Sequence, residues 1–260
     1  MRIKKHLGQN FLVDKNIINK IIKNINPSPK EHFLEIGPGR GALTSEIINL
    51  AGFLDAVEID NDLINSLDHL KKINKDFRVF NEDILKFDLK KILLNKNNSL
   101  IRMVGNLPYN ISSPILFWAY NYGQYIKDCH FMFQKEFAER LIAKPGSKSY
   151  GRLSIISQYL NEINLLFSVS SECFRPIPDV DSSIIQIKPI RNVSFNSETC
   201  KTLQKLTNIL FSKRRKMIGK SLQSFLPLRK LDLLEIKPSQ RPEELSVEKF
   251  VKLSEMINSL

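Results

Sequence analysis

Five short apolar runs, "HFLEIG", "LDAVEID", "FRVFNED", "LIRMVGN" and "CHFMFQ", recur over residues 32–134, parted by helix-like stretches such as "ALTSEIINLAG" and "DLINSLDHLKK". Strands that alternate with helices return through right-handed crossovers, so the pattern dictates a parallel sheet covered by helices. A leading segment, "DKNIINKIIKNI", opens on Asp14 and sets Ile17, Ile18, Ile21, Ile22 and Ile25 on one face, the spacing of an N-capped amphipathic helix. Farther on, "GRLSIISQYL" reads as another helix, whereas "INLLFSVS" and "SSIIQIKPI" are strands with no helix between them and end the sheet in an antiparallel pair. The expected fold is α/β: a Rossmann-like, seven-stranded, mostly parallel sheet over residues 1–190, entered through an N-terminal arm. After the polar "RNVSFNSE" the periodicity turns helical. Leu203, Leu206, Thr207 and Leu210 share one face, as do Val247, Phe250, Val251 and Ile257, so a small helical domain is expected over residues 198–260.

The first sheet strand runs into "EIGPGRG", which puts Gly37, Gly39 and Gly41 in the strand-to-helix turn, where glycine lets the backbone approach a ligand. The spacing is G-x-G-x-G, not the G-x-G-x-x-G of dinucleotide sites, and no G-x-x-x-x-G-K-[ST] occurs, so nothing offers a phosphate cradle. Glu58 ends the second strand 21 positions after Gly37, where a carboxylate can accept from both hydroxyls of a ribose. Asp83 ends the third strand and could accept from an adenine amino group. Three successive strand ends outline a crevice for an adenosine without phosphates, which suggests S-adenosylmethionine as cofactor.

At the fourth strand end stands "VGNLPYNISSP", Val104 to Pro114. Proline cannot donate a backbone hydrogen bond, so this loop offers mostly acceptors: the Asn106 side-chain oxygen and the carbonyls of Asn106, Leu107 and Pro108. The donor that suits them is an exocyclic amine of a nucleobase, a poor nucleophile because its lone pair is delocalised into the ring. Acceptors on both N–H bonds hold the nitrogen partly pyramidal and aim the lone pair along the methyl–sulfur axis. Tyr109 can stack on the base, a contact worth ~1–3 kcal/mol in nucleic-acid sites. No strong general base is required, since the alkylated nitrogen becomes acidic.

Lysine and arginine total 39 against 27 aspartate and glutamate, a net charge of +12, which favours a polyanionic partner, nucleic acid first. "SKRRKMIGK" sets Lys213, Arg214, Arg215, Lys216 and Lys220 on an expected helix of the C-terminal domain, suited to RNA phosphates, and Lys4 and Lys5 could extend that surface. Cys129, Cys173 and Cys200 form no C-x-x-C pair and the four histidines are scattered, so no disulfide framework, no metal and no catalytic histidine is expected. The basic N-terminus leads into no apolar signal segment, and no run of ~18 apolar residues suits a membrane span. A soluble, cytoplasmic protein without membrane contact is expected.

Taken together and in order, "HLGQNFLVD", "LEIGPGRGALT", "VEID", "GNLPYNIS", "QKEFAERL", "YGRLS", F-x-P-x-P-x-VDS and "FSKRRKMIGKSL" resemble the ribosomal RNA adenine N6-dimethyltransferases, over almost the whole chain and thinning after Ser221. The resemblance implies the class I S-adenosylmethionine methyltransferase fold. It also implies that Asn10 and Leu12 line the cofactor site with Gly37, Gly39, Glu58, Asp83 and Asn106. Phe174 would stack on the target adenine opposite Tyr109, beside the loop of Asn106, Leu107 and Pro108; taken alone, Phe174 reads as core. The implied substrate is a pair of adjacent adenosines in a hairpin loop near the 3′ end of small-subunit rRNA, each methylated twice by a monomer within a pre-ribosomal small subunit. The alternatives are a large-subunit rRNA methyltransferase of the antibiotic-resistance type, a DNA adenine methyltransferase, and an RNA-binding assembly factor that hardly methylates. "YGRLS" and the basic segment lean against the first two, and intact Asn106, Pro108 and Tyr109 against the last.

Overall fold

The computed structural model describes residues 4, 8–93 and 100–260; Lys5 lies outside the described residues. Strand β1 (Phe11–Leu12) leads to helix α1 (Lys15–Ile25), then β2 (His32–Ile36), α2 (Thr44–Ile47), β3 (Phe53–Glu58), α3 (Asn61–Ser66), α4 (Asp68–Ile73), β4 (Phe77–Asn81), α5 (Lys90–Leu93) and β5 (Ile101–Asn106). Next come α6 (Ser112–Asn121), β6 (Ile126–Gln134), α7 (Lys135–Leu141), α8 (Arg152–Leu160), β7 (Asn161–Val169), β8 (Phe174–Arg175) and β9 (Ser182–Pro189). Helices α9 (Glu198–Ser212), α10 (Gly219–Leu222) and α11 (Val247–Asn258) complete the chain.

The main sheet has the order β4-β3-β2-β5-β6-β9-β7. The first five of these pair in parallel and β9 runs antiparallel to β6, which is the expected seven-stranded, mostly parallel sheet. Every residue of β2 is buried, as a central strand covered on both faces requires. Chain order reverses between β2 and β5. In an open α/β sheet that reversal leaves a crevice outside the carboxyl ends of the two strands, and a ligand belongs there.

Asp14 caps α1 by accepting from the Ile17 N–H at 3.0 Å, and the helix buries Ile18, Ile21 and Ile25. "DLINSLDHLKK" is two helices, not one. The Leu67 N–H bonds to the Ile64 carbonyl three residues back, which tightens the turn and ends the α-helical ladder. Near the strand starts, the buried Asp55 carboxylate accepts from Arg78 at 2.6 and 2.7 Å and lies 2.7 Å from His32 Nε2. Burial pushes this carboxyl up, but His32 and Arg78 more than offset it and hold it below the usual range.

The chain divides into two compact units, Met1–Ala138 with Asn164–Pro189, and Glu139–Ile163 with Ile190–Leu260. In the second, α9 buries Cys200, Leu203, Leu206, Thr207 and Leu210, and α11 buries Phe250, Leu253 and Ser254. The Tyr150 hydroxyl, within that core, donates to the Leu245 carbonyl at 3.0 Å. "SKRRKMIGK" departs from the expected helix: α9 stops at Ser212 and residues 213–218 turn. The Ile218 and Gly219 N–H groups donate to the carbonyls of Gln240 and Pro238, so a partner segment, not the preceding helical turn, satisfies this backbone.

Candidate active site

A cavity of about 310 Å³ opens at the switch point of the first unit. It is lined by the arm residues Gly8 to Leu12, the glycine turn, Glu58, Asp83 and the loop from Asn106 to Ile111. All of the expected cofactor residues, Asn10, Leu12, Gly37, Gly39, Glu58, Asp83 and Asn106, therefore meet at one cavity.

The glycine turn works by the absence of side chains. Gly37 and Gly39 have φ of +64° and +58°, a region that costs other residues strain. A Cβ on Gly39 would lie 3.2 Å from the Phe11 ring, so the arm closes over the turn only because residue 39 has none, whereas a Cβ on Gly37 would meet nothing within 4 Å among the described residues. The Arg40 guanidinium lies over the other partner of that contact, 4.6 Å from the Phe11 ring centroid.

Glu58 ends β3 almost fully buried and accepts from the Gly39 N–H at 3.2 Å and the Asp60 N–H at 3.0 Å. A carboxylate has about four acceptor sites, so acceptor capacity remains. Burial, helped by the charge of Asp60, raises its pKa against the lowering effect of the backbone donors of Asp60, Gly39 and Ile59. Strand β4 stops at Asn81, and Asp83 stands just beyond it in a turn, where its Oδ1 accepts from the Leu85 N–H at 3.0 Å.

Two polar groups at the site were not foreseen from the sequence. Glu35, in β2 just before the glycine turn, lines the cavity from below, fully enclosed, and accepts from the Thr44 hydroxyl at 2.7 Å. Burial, with the charge of Glu58, pushes its carboxyl up to about 7. Asp60 gathers the arm: Lys4 Nζ pairs with it, and Gln9 Nε2 donates to it at 2.8 Å. Lys4 also pairs with Asp62 at 2.9 Å, so it is tied to two carboxylates and does not extend a basic surface.

In the acceptor loop, Asn106 Nδ2 donates to the Asn10 carbonyl at 2.7 Å, which leaves the Asn106 side-chain oxygen as its remaining polar atom. A Cβ on Gly105 would lie 2.7 Å from the Ile36 carbonyl oxygen, so only glycine lets the ends of β5 and β2 come this close. The Pro108 carbonyl accepts from the Ile111 N–H at 3.2 Å and the Ser112 hydroxyl at 3.3 Å, which uses both of its lone pairs. Of the loop acceptors named from the sequence, Pro108 thus drops out. The Tyr109 ring lines the cavity while its hydroxyl is 2.7 Å from Ser182 Oγ. Burial outweighs that bond and raises the phenol pKa, so Tyr109 is neutral at ordinary pH.

Phe174 is not brought to the cavity. It is fully buried in β8, registered opposite Leu12 of β1 and packed into the main core, so in this arrangement Tyr109 alone of the two aromatics is at the site. In the second unit, Lys213, Arg215, Lys216 and Lys220 are exposed. Arg214 is different: its Nε donates to Glu243 at 2.7 Å, and its Nη atoms donate to the Lys148 and Ser147 carbonyls at 2.9 and 3.2 Å. Among the described residues no helix is long and apolar enough to cross a membrane, and no three His, Cys, Asp or Glu side chains are grouped to hold a metal ion.

A family model described as ribosomal RNA adenine dimethylase matches residues 1–259. The chain is 45% identical over 261 residues to ribosomal RNA small subunit methyltransferase A of Buchnera aphidicola subsp. Schizaphis graminum, with 98% of this chain and 94% of that protein covered. It is 42% identical to the protein of the same name from Saccharophagus degradans, covering 97% and 94%. A crystal structure of a dimethyladenosine transferase from Plasmodium falciparum superposes with a TM-score of 0.82 at 26% identity, covering 96% of this chain and 98% of that one. The crystal structure of 23S rRNA methyltransferase ErmE does so with 0.76 at 25%, covering 96% and 100%.

Proposed function

The chain belongs to the ribosomal RNA adenine dimethylase family, and from that premise we propose that it methylates N6 of two adjacent adenosines in the hairpin loop near the 3′ end of small-subunit rRNA, giving N6,N6-dimethyladenosine. The methyl donor is S-adenosylmethionine. Small-subunit rRNA is favoured over large-subunit rRNA because the two small-subunit relatives above are 45% and 42% identical to this chain and ErmE is 25% identical.

The residues at the cavity fit that donor. Open space stands over Gly37, Glu58 keeps acceptor capacity for a ribose diol, and a second carboxylate follows at Asp83. When bound, S-adenosylmethionine supplies a methyl group carried on a cationic sulfur. Glu58 would accept from the ribose hydroxyls and Asp83 from the adenine amine, while Asn10 and Leu12 would close the arm side. Asn106 Oδ1 and the Leu107 carbonyl would accept the two N–H bonds of the target amine and so direct its lone pair outward. Tyr109 would hold the base face, its hydroxyl anchored on Ser182. The proton left on N6 after alkylation is acidic enough to leave without a strong base, and neutral Tyr109 is not asked to be one.

We take a single chain as the working unit; the cavity is lined by residues of its first unit. The second unit carries 18 Lys and Arg against 9 Asp and Glu, so +9 of the chain's +12 lies there, a charge suited to rRNA. The physiological substrate we assign is the pre-ribosomal small subunit in the cytoplasm. The observation that carries the reading is the convergence of Glu58, Asp83 and Asn106, from three strand ends, on one cavity beside Tyr109. Nucleoside mass spectrometry of small-subunit rRNA from cells with and without the gene tests it: dimethyladenosine should vanish with the gene, and its persistence would overturn the assignment.

A further inference from the structure

The basic segment of the second unit is not an isolated run of charge. Arg214 reaches from the 213–216 turn to the backbone of a second basic stretch, "AKPGSKSYG", by donating to the Ser147 and Lys148 carbonyls. Glu243 fastens both: its carboxylate takes Arg214 Nε, and its backbone carbonyl accepts from the Gly146 N–H at 2.7 Å. The two stretches are therefore one structural piece, and both present exposed cations, Lys144 and Lys148 on one, Lys213, Arg215 and Lys216 on the other.

We infer that the 144–148 loop and the 213–216 turn form a single phosphate-binding surface for rRNA, in which Lys144 and Lys148 are contacts and Arg214 is the positioning residue that joins the two segments. This rests on the rRNA substrate proposed above. Arg214 has three of its five N–H donors committed within the protein, one to a carboxylate that cancels its charge, so it is poorly placed to serve as a phosphate ligand. Its exposed neighbours have charge to offer. RNA binds such a surface mainly through phosphates, each contact releasing counterions, so each lysine that meets a phosphate leaves its mark on the salt dependence of binding. The planar fork that bridges two carbonyls and a carboxylate is a task lysine cannot perform, whereas a plain phosphate contact is one lysine performs well.

The test uses the full-length protein, with small ribosomal subunits lacking the modification as the probe, titrated at several salt concentrations. Lys144→Ala with Lys148→Ala should weaken binding and flatten the slope of log affinity against log salt by about one to two units, while S-adenosylmethionine affinity stays unchanged. Arg214→Lys keeps the charge and loses the fork: binding should weaken, and amides in the 146–150 segment should lose protection from hydrogen exchange. An unchanged salt slope in the lysine pair would remove the loop from the RNA surface, and wild-type binding and exchange in a folded Arg214→Lys protein would remove the positioning role. If the wild-type protein itself neither binds nor methylates these subunits, the substrate assignment falls together with this surface. Wild-type methylation with a neutral lysine pair overturns the surface alone.

Discussion

Asn106 gives its side-chain N–H to the Asn10 carbonyl at 2.7 Å, across 96 positions of chain. One hydrogen bond thus sets the direction of the Asn106 oxygen, which we propose accepts from the target amine, and ties the N-terminal arm to the Asn106–Tyr109 loop. Replacing Asn106 touches both.

Asn106→Ala should leave RNA binding in place while methyl transfer slows by roughly 2–4 kcal/mol of barrier, the scale of losing one preorganised group at a reacting atom. The second transfer should suffer more, because a monomethylated amine keeps a single N–H and can satisfy only one acceptor. Single-turnover reactions followed by nucleoside analysis should therefore show monomethyladenosine accumulating. Wild-type rates with full dimethylation would refute the acceptor loop.

The parts of this molecule that were legible in the sequence are those written in local pattern. Strand runs parted by helical runs dictate the parallel sheet, and Gly37, Glu58, Asp83 and Asn106, named from their turns and strand ends, line one cavity at the carboxyl ends of the strands. What was not legible depends on partners far along the chain. Lys4 meets Asp60 across 56 positions, and Arg214 folds back onto carbonyls 66 and 67 positions earlier, which no periodicity announces. Phe174 reads as core by its type and is core; what was not legible is the pairing of β1 with β8, strands of two residues each, that keeps it from the cavity where the resemblance had placed it. Glu35 is one acid in an apolar strand, and only the fold reveals that it is enclosed.

Glu58→Ala should weaken S-adenosylmethionine binding by roughly 1–3 kcal/mol, the loss of hydrogen bonds from two ribose hydroxyls to a buried carboxylate. The substitution also strands the Gly39 and Asp60 N–H groups. A thermal melt controls for that, and calorimetry reads the affinity. Unchanged affinity in the folded variant would take Glu58 out of the cofactor site.

Tyr109→Phe keeps the ring and loses the 2.7 Å contact with Ser182, whereas Tyr109→Ala loses both. If the ring is the working part, the phenylalanine variant should retain most of its kcat/KM on small subunits and the alanine variant should lose roughly 1–3 kcal/mol, the worth of one base–aromatic stack. Since the Tyr109 phenol is raised above its ordinary pKa, its removal should not alter the pH profile below 10. Equal losses in the two variants would mean that the hydroxyl, not the face, is what matters.

Two buried groups should give the protein opposing responses to pH. Glu35 titrates near 7 in the fold against an ordinary 4.5, so the stability it contributes is fully present below 4.5 and is lost as pH rises toward 7, by roughly 3 kcal/mol in all. His130 runs the other way. Burial lowers it from 6.5 to about 4, outweighing nearby Asp128, with Arg102 and Lys188 adding to the lowering, and its Nδ1 has no hydrogen-bond partner among the described residues. Its contribution is present above 6.5 and is lost as pH falls toward 4, again by roughly 3 kcal/mol. Between 4.5 and 6.5 the two slopes cancel, so single variants should expose them. Relative to wild type, Glu35→Gln should gain stability as pH rises from 4.5 to 7, since the amide keeps an acceptor for Thr44 and no longer ionises. His130→Phe should gain as pH falls from 6.5 to 4. Urea unfolding at a series of pH values gives both differences directly, and the other titrating groups drop out of the comparison. A Glu35→Gln difference that is flat with pH would mean that this carboxyl is ionised in the folded protein at pH 5, and that the floor of the cavity is charged.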